Sequence, residues 1–307
     1  MKRTLVVVLM LGALLVFSGC GGLNQSDTAE VALYLADAPV NDVAYIYVTL
    51  ERVDVVRLVD GEQVVETIKE FDITNEKESK FDLLALRFDE ALLGQATLPP
   101  GTYKQIRLVV AADTEKGENP KDSGLSYIEY KPETGKEPEN IFIPSGQQTG
   151  LKINHEFTIE AGELRELVLD NDVSQLLNAA GQSGLIILRP TAIRVVDRLM
   201  TGDIIGKVLK SSDDTIITET DVTVKAVDPD SGLYIQDDNG NDIQTLVNPE
   251  DGMFKLRGLE TGNYNIEISA EGYVISLVPA EVVAGQNTDI GVIRLEAEAT
   301  EPETPTV

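Results

Sequence analysis

Apolar and polar residues alternate along much of this chain, and the clearest example spans residues 151–159. The apolar set there is Leu151, Ile153, Phe157 and Ile159, with His155 in the same phase and polar residues between them. Alternation with a period of two is typical of a strand that buries one face, so this segment predicts an amphipathic strand that ends before Gly162. His155, the only histidine in the sequence, is therefore predicted to lie on the apolar face as a partly buried structural residue.

A longer apolar pattern at residues 43–59 changes phase in its middle. Ile46, Val48 and Leu50 occupy even positions, whereas Val53, Val55 and Val59 occupy odd ones. A slip of one residue would move the apolar side chains to the other face of a sheet. We therefore predict a single strand with a β-bulge near Glu51 and Arg52. The alternative, two strands separated by a turn, is disfavoured because no turn residue lies there.

Similar patterns predict strands over the whole length of the chain. In the first part they cover residues 31–36, 63–71, 103–111, 127–130, 141–143, 164–169 and 185–196, the last interrupted by Pro190; residues 87–94 and 173–180 are predicted as short helical segments. After a boundary at residues 197–202, strands are predicted at 204–209, 222–227, 254–256, 264–268 and 290–295. Many short strands spaced by turns predict an all-β fold, with two antiparallel β-sandwich-type domains in tandem at residues 30–198 and 202–296.

The N-terminal segment has the charge and apolar order of an export signal. Lys2 and Arg3 precede an apolar run at residues 5–17, and small residues lead to Cys20. A run of 13 residues is shorter than the roughly 18 needed to span a bilayer. We predict a signal peptide at residues 1–19 that is removed on export. The segment resembles the lipobox of bacterial lipoproteins, which implies that Cys20 becomes the lipid-modified first residue; an unmodified thiol is the alternative.

Both ends of the mature chain are predicted to lack regular structure. Residues 20–29 are small and polar and predict a flexible tether, and residues 297–307 predict a disordered acidic tail. Export and acylation together predict a protein anchored at the cell envelope. Because Gly21 stands where an aspartate often marks retention at the inner membrane, the outer membrane or cell surface is favoured.

The charge of the chain restricts its partners. The sequence has a net charge of −27, and removal of Lys2 and Arg3 with the signal lowers it to −29. Such a surface repels phosphate backbones, so nucleic acid is not an expected partner. Cys20 is the only cysteine, which leaves none for a disulfide or a thiolate metal site. The expected partners are a membrane, through the lipid, and a polysaccharide or an envelope protein.

Few residues suggest a chemical role, and each has a structural explanation. Neither a Gly-x-Ser-x-Gly elbow nor a His-Glu-x-x-His motif occurs, so no enzyme activity is predicted. Asp237, Asn239 and Asn241 supply alternating oxygen atoms that suggest a calcium loop, although an Asp- and Asn-rich β-turn is favoured; no other cofactor is expected. Tyr45 and Tyr47 share a strand face and suggest a small aromatic platform for a sugar, although sheet packing explains them equally well.

Two parts of the chain resemble known families. The blocks LYLADAPVNDVAYIYVTLERVDV, FDLLAL, LPPGTYKQIRLVV, IPSGQQTGLKI and LRPTAIRVVD resemble bacterial lipoproteins of the domain of unknown function 4382 family. The second domain resembles the carboxypeptidase regulatory-like family, a transthyretin-like or Ig-like β-sandwich without a catalytic group; its matching blocks are GKV, VTV, DGMFKL, GL, GNY and GY. These resemblances imply a non-catalytic structural or interaction role in the envelope. The alternatives are a carbohydrate-binding lipoprotein and, less favoured, a hydrolase with unrecognised carboxylates.

Overall fold

The structure is a computed structural model, and it describes residues 28–37, 43–86, 88–111, 125–142, 149–171, 177–180, 185–189 and 193–299. The predicted signal peptide, Cys20 and all but the end of the predicted tether lie outside these ranges. Acylation of Cys20 therefore stays a prediction. Within the described ranges, no helix has the length and apolar character needed to cross a membrane.

The first half of the chain consists mainly of thirteen described strands. They are β1 (Ala29–Asp37), β2 (Val43–Val59), β3 (Glu62–Glu70), β4 (Lys80–Asp82), β5 (Ala91–Leu98), β6 (Gly101–Ala111), β7 (Tyr127–Tyr130), β8 (Glu139–Phe142), β9 (Leu151–Ile159), β10 (Leu164–Asn171), β11 (Leu177–Ala180), β12 (Leu185–Leu188) and β13 (Ile193–Asp197). The described helical pieces are one α-helical turn, α1 (Glu76–Ser79), and 3-10 turns at Leu83–Leu86 and Pro132–Thr134.

These strands form two sheets that enclose one core. The smaller sheet has the order β13-β10-β1-β5, and the larger has the order β11-β12-β8-β7-β2-β6-β9, with β3 and β4 also paired to β2. Buried side chains of both sheets meet in one cluster, for example Leu33 of β1 with Ile46 of β2 and Ile106 of β6. Burial of such apolar surface is the main force that holds two sheets face to face.

Strand β2 confirms the predicted bulge. It is one strand of 17 residues, and its pairing with β6 shifts between Leu50 and Arg52, so that Glu51 is the extra residue. The apolar residues next to the shift, Leu50, Val53 and Val55, are buried, whereas Val59, which was predicted for the same face, is 37% exposed. The pairing with β6 shifts again between Val56 and Arg57, which ends the apolar alternation before Val59. The bulge thus keeps the two halves of the apolar pattern on the same core face.

The second half forms its own pair of sheets over a separate core. Its strands are β14 (Thr201–Lys210), β15 (Val222–Val227), β16 (Gln244–Leu246), β17 (Met253–Glu260), β18 (Gly262–Ala270), β19 (Ser276–Val282) and β20 (Asn287–Leu295). The sheets have the orders β17-β14-β20 and β16-β15-β18-β19. Phe254, Leu256 and Ile266 are among the fully buried residues of this second cluster.

A tight turn joins the two halves. Strand β13 ends at Asp197 and β14 begins at Thr201. The Thr201 hydroxyl donates a hydrogen bond of 2.7 Å to the Asp197 carbonyl, and the Met200 N–H donates one of 3.1 Å to the same carbonyl. We call the part before this turn the first domain and the part after it the second domain.

The predicted all-β fold is confirmed, and the strand pairing adds one detail. Most ladders are antiparallel, as predicted, but β1 pairs with β10, β8 with β12 and β14 with β20 in parallel. A parallel pair needs a crossover rather than a hairpin, and each of these pairs is separated by intervening strands in the chain.

Several local predictions were wrong. The predicted helix at residues 87–94 is not formed over Ala91–Gly94, which belong to β5. In the second predicted helix, the described residues Leu177–Ala180 form β11. The predicted strand at residues 185–196 is two strands, β12 and β13, and they belong to different sheets. Short apolar runs do not distinguish helix from strand, and the sheets select the strand by pairing.

Two strands and part of the C-terminal segment were also misjudged. Strands β16 and β19 were not predicted. Ala297, placed by the sequence in a disordered tail, pairs with Tyr273, and the Glu298 N–H donates to the Gly272 carbonyl at 2.9 Å. Backbone hydrogen bonds therefore order these residues despite their lack of an apolar face. Residues 300–307 lie outside the described ranges.

Candidate functional site

Three tyrosines form a row on the larger sheet of the first domain. Tyr45 and Tyr47 point to the same face because they are two positions apart in β2. Their ring centroids are 5.5 Å apart with planes inclined by only 11°. The ring of Tyr127, on the neighbouring strand β7, lies 5.1 Å from that of Tyr47 at 48°. Tyr45 and Tyr47 are thus stacked, whereas the ring of Tyr127 is tilted against that of Tyr47.

A lysine from β4, which is paired with β2, contacts two of these rings. The Lys80 ammonium lies 4.9 Å from the ring centroid of Tyr47 and 5.0 Å from that of Tyr127, within the range of a cation–π contact. Burial, followed by the charge of Asp82, raises the pKa of the Tyr47 phenol to about 12. Tyr47 is therefore neutral at physiological pH. Tyr45, with 43% of its surface exposed, is the ring that solvent reaches most easily.

The predicted aromatic platform thus has a specific form. The structure brings Tyr45 and Tyr47 together, as expected, and adds Tyr127 and Lys80, which the sequence did not suggest. The exposed ring of Tyr45 offers one apolar surface and a hydroxyl, a combination that can stack on a sugar ring or on an apolar side chain. No pattern in the sequence could have indicated Lys80, because it reaches the rings from a three-residue strand.

A cleft of about 290 Å³ lies between the two domains. Strands β9 and β13 line it on the first-domain side, and residues near Gln236–Asn239, together with β17 and β18, line it on the second-domain side. Its apolar lining comes from both domains; it consists of Ile153, Ile193, Val195, Val196, Ile235, Ile243 and Tyr264. Clefts at domain interfaces are common binding sites for small ligands.

His155 stands in this cleft. Its side chain is 19% exposed, and its Nδ1 atom lies 3.8 Å from a carboxylate oxygen of Asp238 in the second domain. Its ring also stacks near Phe157, with centroids 6.2 Å apart. Burial lowers the pKa of His155 below its usual value of 6.5, although the charges of Asp238 and Asp197 oppose this shift. The imidazole is therefore neutral near pH 7.

The structure gives Asp237 a role within its own turn. One carboxylate oxygen accepts hydrogen bonds from the N–H groups of Asn239, at 2.9 Å, and Asn241, at 2.8 Å; the other accepts one from the Asn241 side chain at 3.3 Å. This is the arrangement of an Asx-type turn, in which the carboxylate replaces a backbone acceptor. Among the described residues, no group of three or more His, Cys, Asp or Glu side chains is arranged to hold a metal ion.

A cluster of charged side chains connects the two domains on another side of the cleft. Arg257 of β17 is 3% exposed, and it lies 3.5 Å from Asp170 and 3.9 Å from Glu90 of the first domain. Lys255 lies 3.1 Å from Asp203 and 3.8 Å from Glu90. We call these five residues the interdomain ion cluster.

Close backbone contacts accompany the interdomain ion cluster. Arg194 of β13 donates to the Arg257 carbonyl at 2.8 Å and to Asp170 at 2.7 Å. A Cβ atom on Gly258 would lie 2.6 Å from the Val196 side chain, so only glycine permits this approach of the two domains. The backbone of Gly258 also has a φ of +71°, which favours glycine independently.

The interdomain ion cluster could not be predicted from the sequence. Lys255 and Arg257 alternate with the buried Phe254 and Leu256, a pattern that normally predicts a solvated outer face. In this molecule the first domain covers that face. The partners of these cations are separated from them by up to 171 residues, so sequence spacing could not reveal them.

The chain is thus a protein of two all-β domains that each enclose their own core. It belongs to the family described as domain of unknown function DUF4382, whose family model matches residues 28–190. This match confirms the family resemblance of the first domain. The resemblance of the second domain to the carboxypeptidase regulatory-like family stays a prediction, as does the lipoprotein assignment.

Comparisons with other proteins add little. No curated protein matches the chain. Among solved structures, it is similar to the streptococcal ancillary pilin (13% identity, 89% of this chain and 63% of that chain, TM-score 0.26). It is also similar to GBS52, the minor pilin of Streptococcus agalactiae (14%, 90% and 99%, 0.26), and to the shaft pilin SpaA of Lactobacillus rhamnosus GG (11%, 90% and 100%, 0.23). The chain thus spans 63% of the ancillary pilin's length. Likeness at such TM-scores carries no argument about function.

Proposed function

We propose that this chain is a non-catalytic protein of the cell envelope, anchored by a lipid on Cys20, and that its two domains act as one rigid unit with a structural or interaction role. The position of Cys20 directly after a basic and apolar signal supports the anchor. Acyl chains hold a protein on a membrane firmly when two or more are attached, each buried methylene contributing about 0.8 kcal/mol.

The observation that supports a rigid unit best is the interdomain ion cluster. Arg257 is almost fully withdrawn from water and has carboxylate neighbours, Asp170 and Glu90, in the other domain. Its guanidinium also donates to the Leu86 carbonyl at 3.3 Å and the Asp89 carbonyl at 3.5 Å. Opening the interface would separate a buried charge from its partners, which is costly in the protein interior. A unit of fixed shape suits a protein that holds binding surfaces away from a membrane.

Membrane fractionation tests the anchor. The full chain, expressed in a bacterial host fed an alkyne-tagged fatty acid, is expected to carry the tag and to sediment with membranes. The Cys20→Ala variant is expected to lose both. A tagged or membrane-bound Cys20→Ala variant, or an untagged wild type in the soluble fraction, would contradict the proposal.

A second candidate function, carbohydrate binding, is favoured by the exposed ring of Tyr45 stacked on Tyr47. The stack fixes the orientation of the Tyr45 ring, so that little side-chain entropy is lost when a sugar lies on it. This function predicts saturable binding to one member of a panel of cell-wall and storage polysaccharides. Tyr45→Ala is expected to weaken that binding by about fivefold, since one aromatic contact contributes about 1 kcal/mol.

Tyr234 supplies the matched control for this experiment. It is 41% exposed, it contacts Lys225, and it lies in the second domain. Tyr234→Ala is expected to bind as the wild type does. If both variants lost polysaccharide binding equally, or if Tyr45→Ala lost none, Tyr45 would not be part of a carbohydrate site.

A further inference from the structure

The cleft between the domains has the size and lining of a site for one compact ligand. Its volume of about 290 Å³ lies just below the range of roughly 300 to 1,000 Å³ for small-molecule sites, which suits a ligand of one ring. Apolar side chains line it, with the ring of Tyr264 among them. Groups that can exchange hydrogen bonds also line it: Asn154, His155, Gln236, Asp238, Asn239 and Glu260. The cleft thus combines a mostly apolar lining with a few polar groups, the combination that small-molecule sites use to orient a ligand.

The charges at the cleft decide which ring fits best. Arg194 is the cationic side chain that lines it, and Asp170 holds Arg194 at 2.7 Å. Asp197 is paired with Arg165, and Asp237 caps its own turn. Among the described residues, Asp238 and Glu260 have no Lys or Arg side chain within ion-pair distance.

His155 does not neutralise these carboxylates. Its imidazole is neutral near pH 7 because burial lowers its pKa. A neutral imidazole can donate one hydrogen bond and accept another, which suits a hydroxyl group. The cleft therefore offers an apolar surface, a neutral hydrogen-bonding ring and, at its solvent-exposed edge, two carboxylates without a Lys or Arg partner.

We propose that the cleft binds an amino sugar, that is, one hydroxyl-bearing ring that carries a protonated primary amine. The ammonium would pair with Asp238 and Glu260, the apolar face of the ring would contact the Tyr264 side of the cleft, and a hydroxyl would exchange hydrogen bonds with His155. This site goes beyond the proposed function, because it is separate from Tyr45 and its ligand class is different from that of a neutral polysaccharide surface.

The single histidine provides a direct test. The imidazole signals of the purified full chain, labelled with ¹⁵N- and ¹³C-histidine and kept in mild detergent, report only on His155. The probes are glucosamine, its neutral relatives glucose and N-acetylglucosamine, and Nα-acetyl-lysine methylamide as an amine without a sugar ring. Glucosamine is expected to shift the signals saturably, with affinity about tenfold above that of either neutral sugar, the ratio expected for a charged hydrogen bond.

The pH dependence of the same signals gives an independent check. A bound ammonium disfavours a second positive charge, so glucosamine is expected to lower the pKa of His155 further. By reciprocity, glucosamine should bind more weakly at a pH at which His155 is protonated. The charged groups that line the cleft with His155 are Arg194, Asp197, Asp237, Asp238 and Glu260. Of these, only Asp238 and Glu260 are proposed to gain a charged partner when glucosamine binds.

Variants identify the carboxylates involved. Asp238→Asn and Glu260→Gln are each expected to weaken glucosamine binding several-fold. Glu271→Gln, an equal charge change at an exposed site outside the cleft, and Tyr45→Ala are expected to leave it unchanged.

Three results would overturn the proposal: no saturable shift with glucosamine, equal binding of glucose or N-acetylglucosamine, or equal binding of the lysine probe. The proposal would also be overturned if Asp238→Asn and Glu260→Gln both bound glucosamine with the affinity of the wild type. None of these results bears on the lipid anchor, which is tested separately.

Discussion

At the scale of single residues, Asp237 shows how one side chain can resemble a metal ligand and have another role. Its carboxylate accepts three hydrogen bonds from Asn239 and Asn241 within five residues of chain. Donor groups point at the oxygens that a calcium ion would need. The turn is further closed by a hydrogen bond of 2.8 Å from the Asp237 N–H to the Asn241 carbonyl.

We predict that Asp237→Ala lowers the free energy of unfolding by about 1 kcal/mol, because two backbone N–H groups lose their acceptor on an exposed turn. Asp237→Asn keeps an acceptor oxygen and is expected to stay close to the wild type. The neighbouring Asp238, whose side chain is 90% exposed, supplies a second control, and Asp238→Ala should change stability by less than about 0.5 kcal/mol.

Urea unfolding followed by circular dichroism measures all three variants. Repeating it with calcium separates a turn cap from a metal site, because an ion that binds only the folded state raises the free energy of unfolding by RT ln(1 + c/Kd), where c is the concentration of the free ion. A midpoint that rises with calcium in the wild type and does not in Asp237→Ala would show that the turn is a calcium site.

At the scale of elements, the sequence predicts strands well where one face meets the core and the other meets water. Strand β9 is the clearest example. In β2 the opposite face is partly covered as well, since Thr49, Asp54 and Val56 are buried, yet the phase change at Glu51 was sufficient to predict the bulge. These features are local, since alternation and its interruption are visible within a few residues.

Elements that depend on distant partners could not be predicted in the same way. Residues 185–188 and 193–197 read as one strand, yet they join different sheets, since β12 pairs with β8 and β13 pairs with β10. Strand β17 shows the same difficulty for the site: Lys255 and Arg257 look solvated in sequence and are covered by the first domain. The tyrosine pair was predictable from spacing alone, whereas Lys80 and the cleft were not.

At the scale of the whole molecule, the two domains have separate cores and an interface that combines ion pairs with apolar contacts. The first-domain cluster of buried apolar residues ends at Ile193, and the second begins at Ile204. Between them, the interdomain ion cluster and the close approach of Gly258 to Val196 connect the two domains. Such an interface favours a defined arrangement more than it adds stability, because buried ion pairs recover little beyond their cost of desolvation.

Removing one partner from this interface has a predictable effect. Arg257→Met retains most of the apolar stem but leaves Asp170 and Glu90 with fewer cationic neighbours, so we expect the domains to lose their fixed relative orientation. Arg294→Met is the matched control, because Arg294 forms an ion pair of 2.6 Å with Asp214 within the second domain and both side chains are at least half exposed. Exposed pairs of this kind contribute little.

The central claim, a rigid two-domain unit, is tested most directly by a distance between the domains. Spin labels would be placed at Thr97→Cys and Glu271→Cys, exposed positions in the first and second domains, in a Cys20→Ala background that contains no other cysteine. Pulsed electron–electron double resonance should give one narrow distribution of distances between the two labels. This distribution should stay narrow in Arg294→Met and become broad in Arg257→Met. A broad distribution in the parent chain, or one unchanged by Arg257→Met, would contradict a rigid unit held by the interdomain ion cluster.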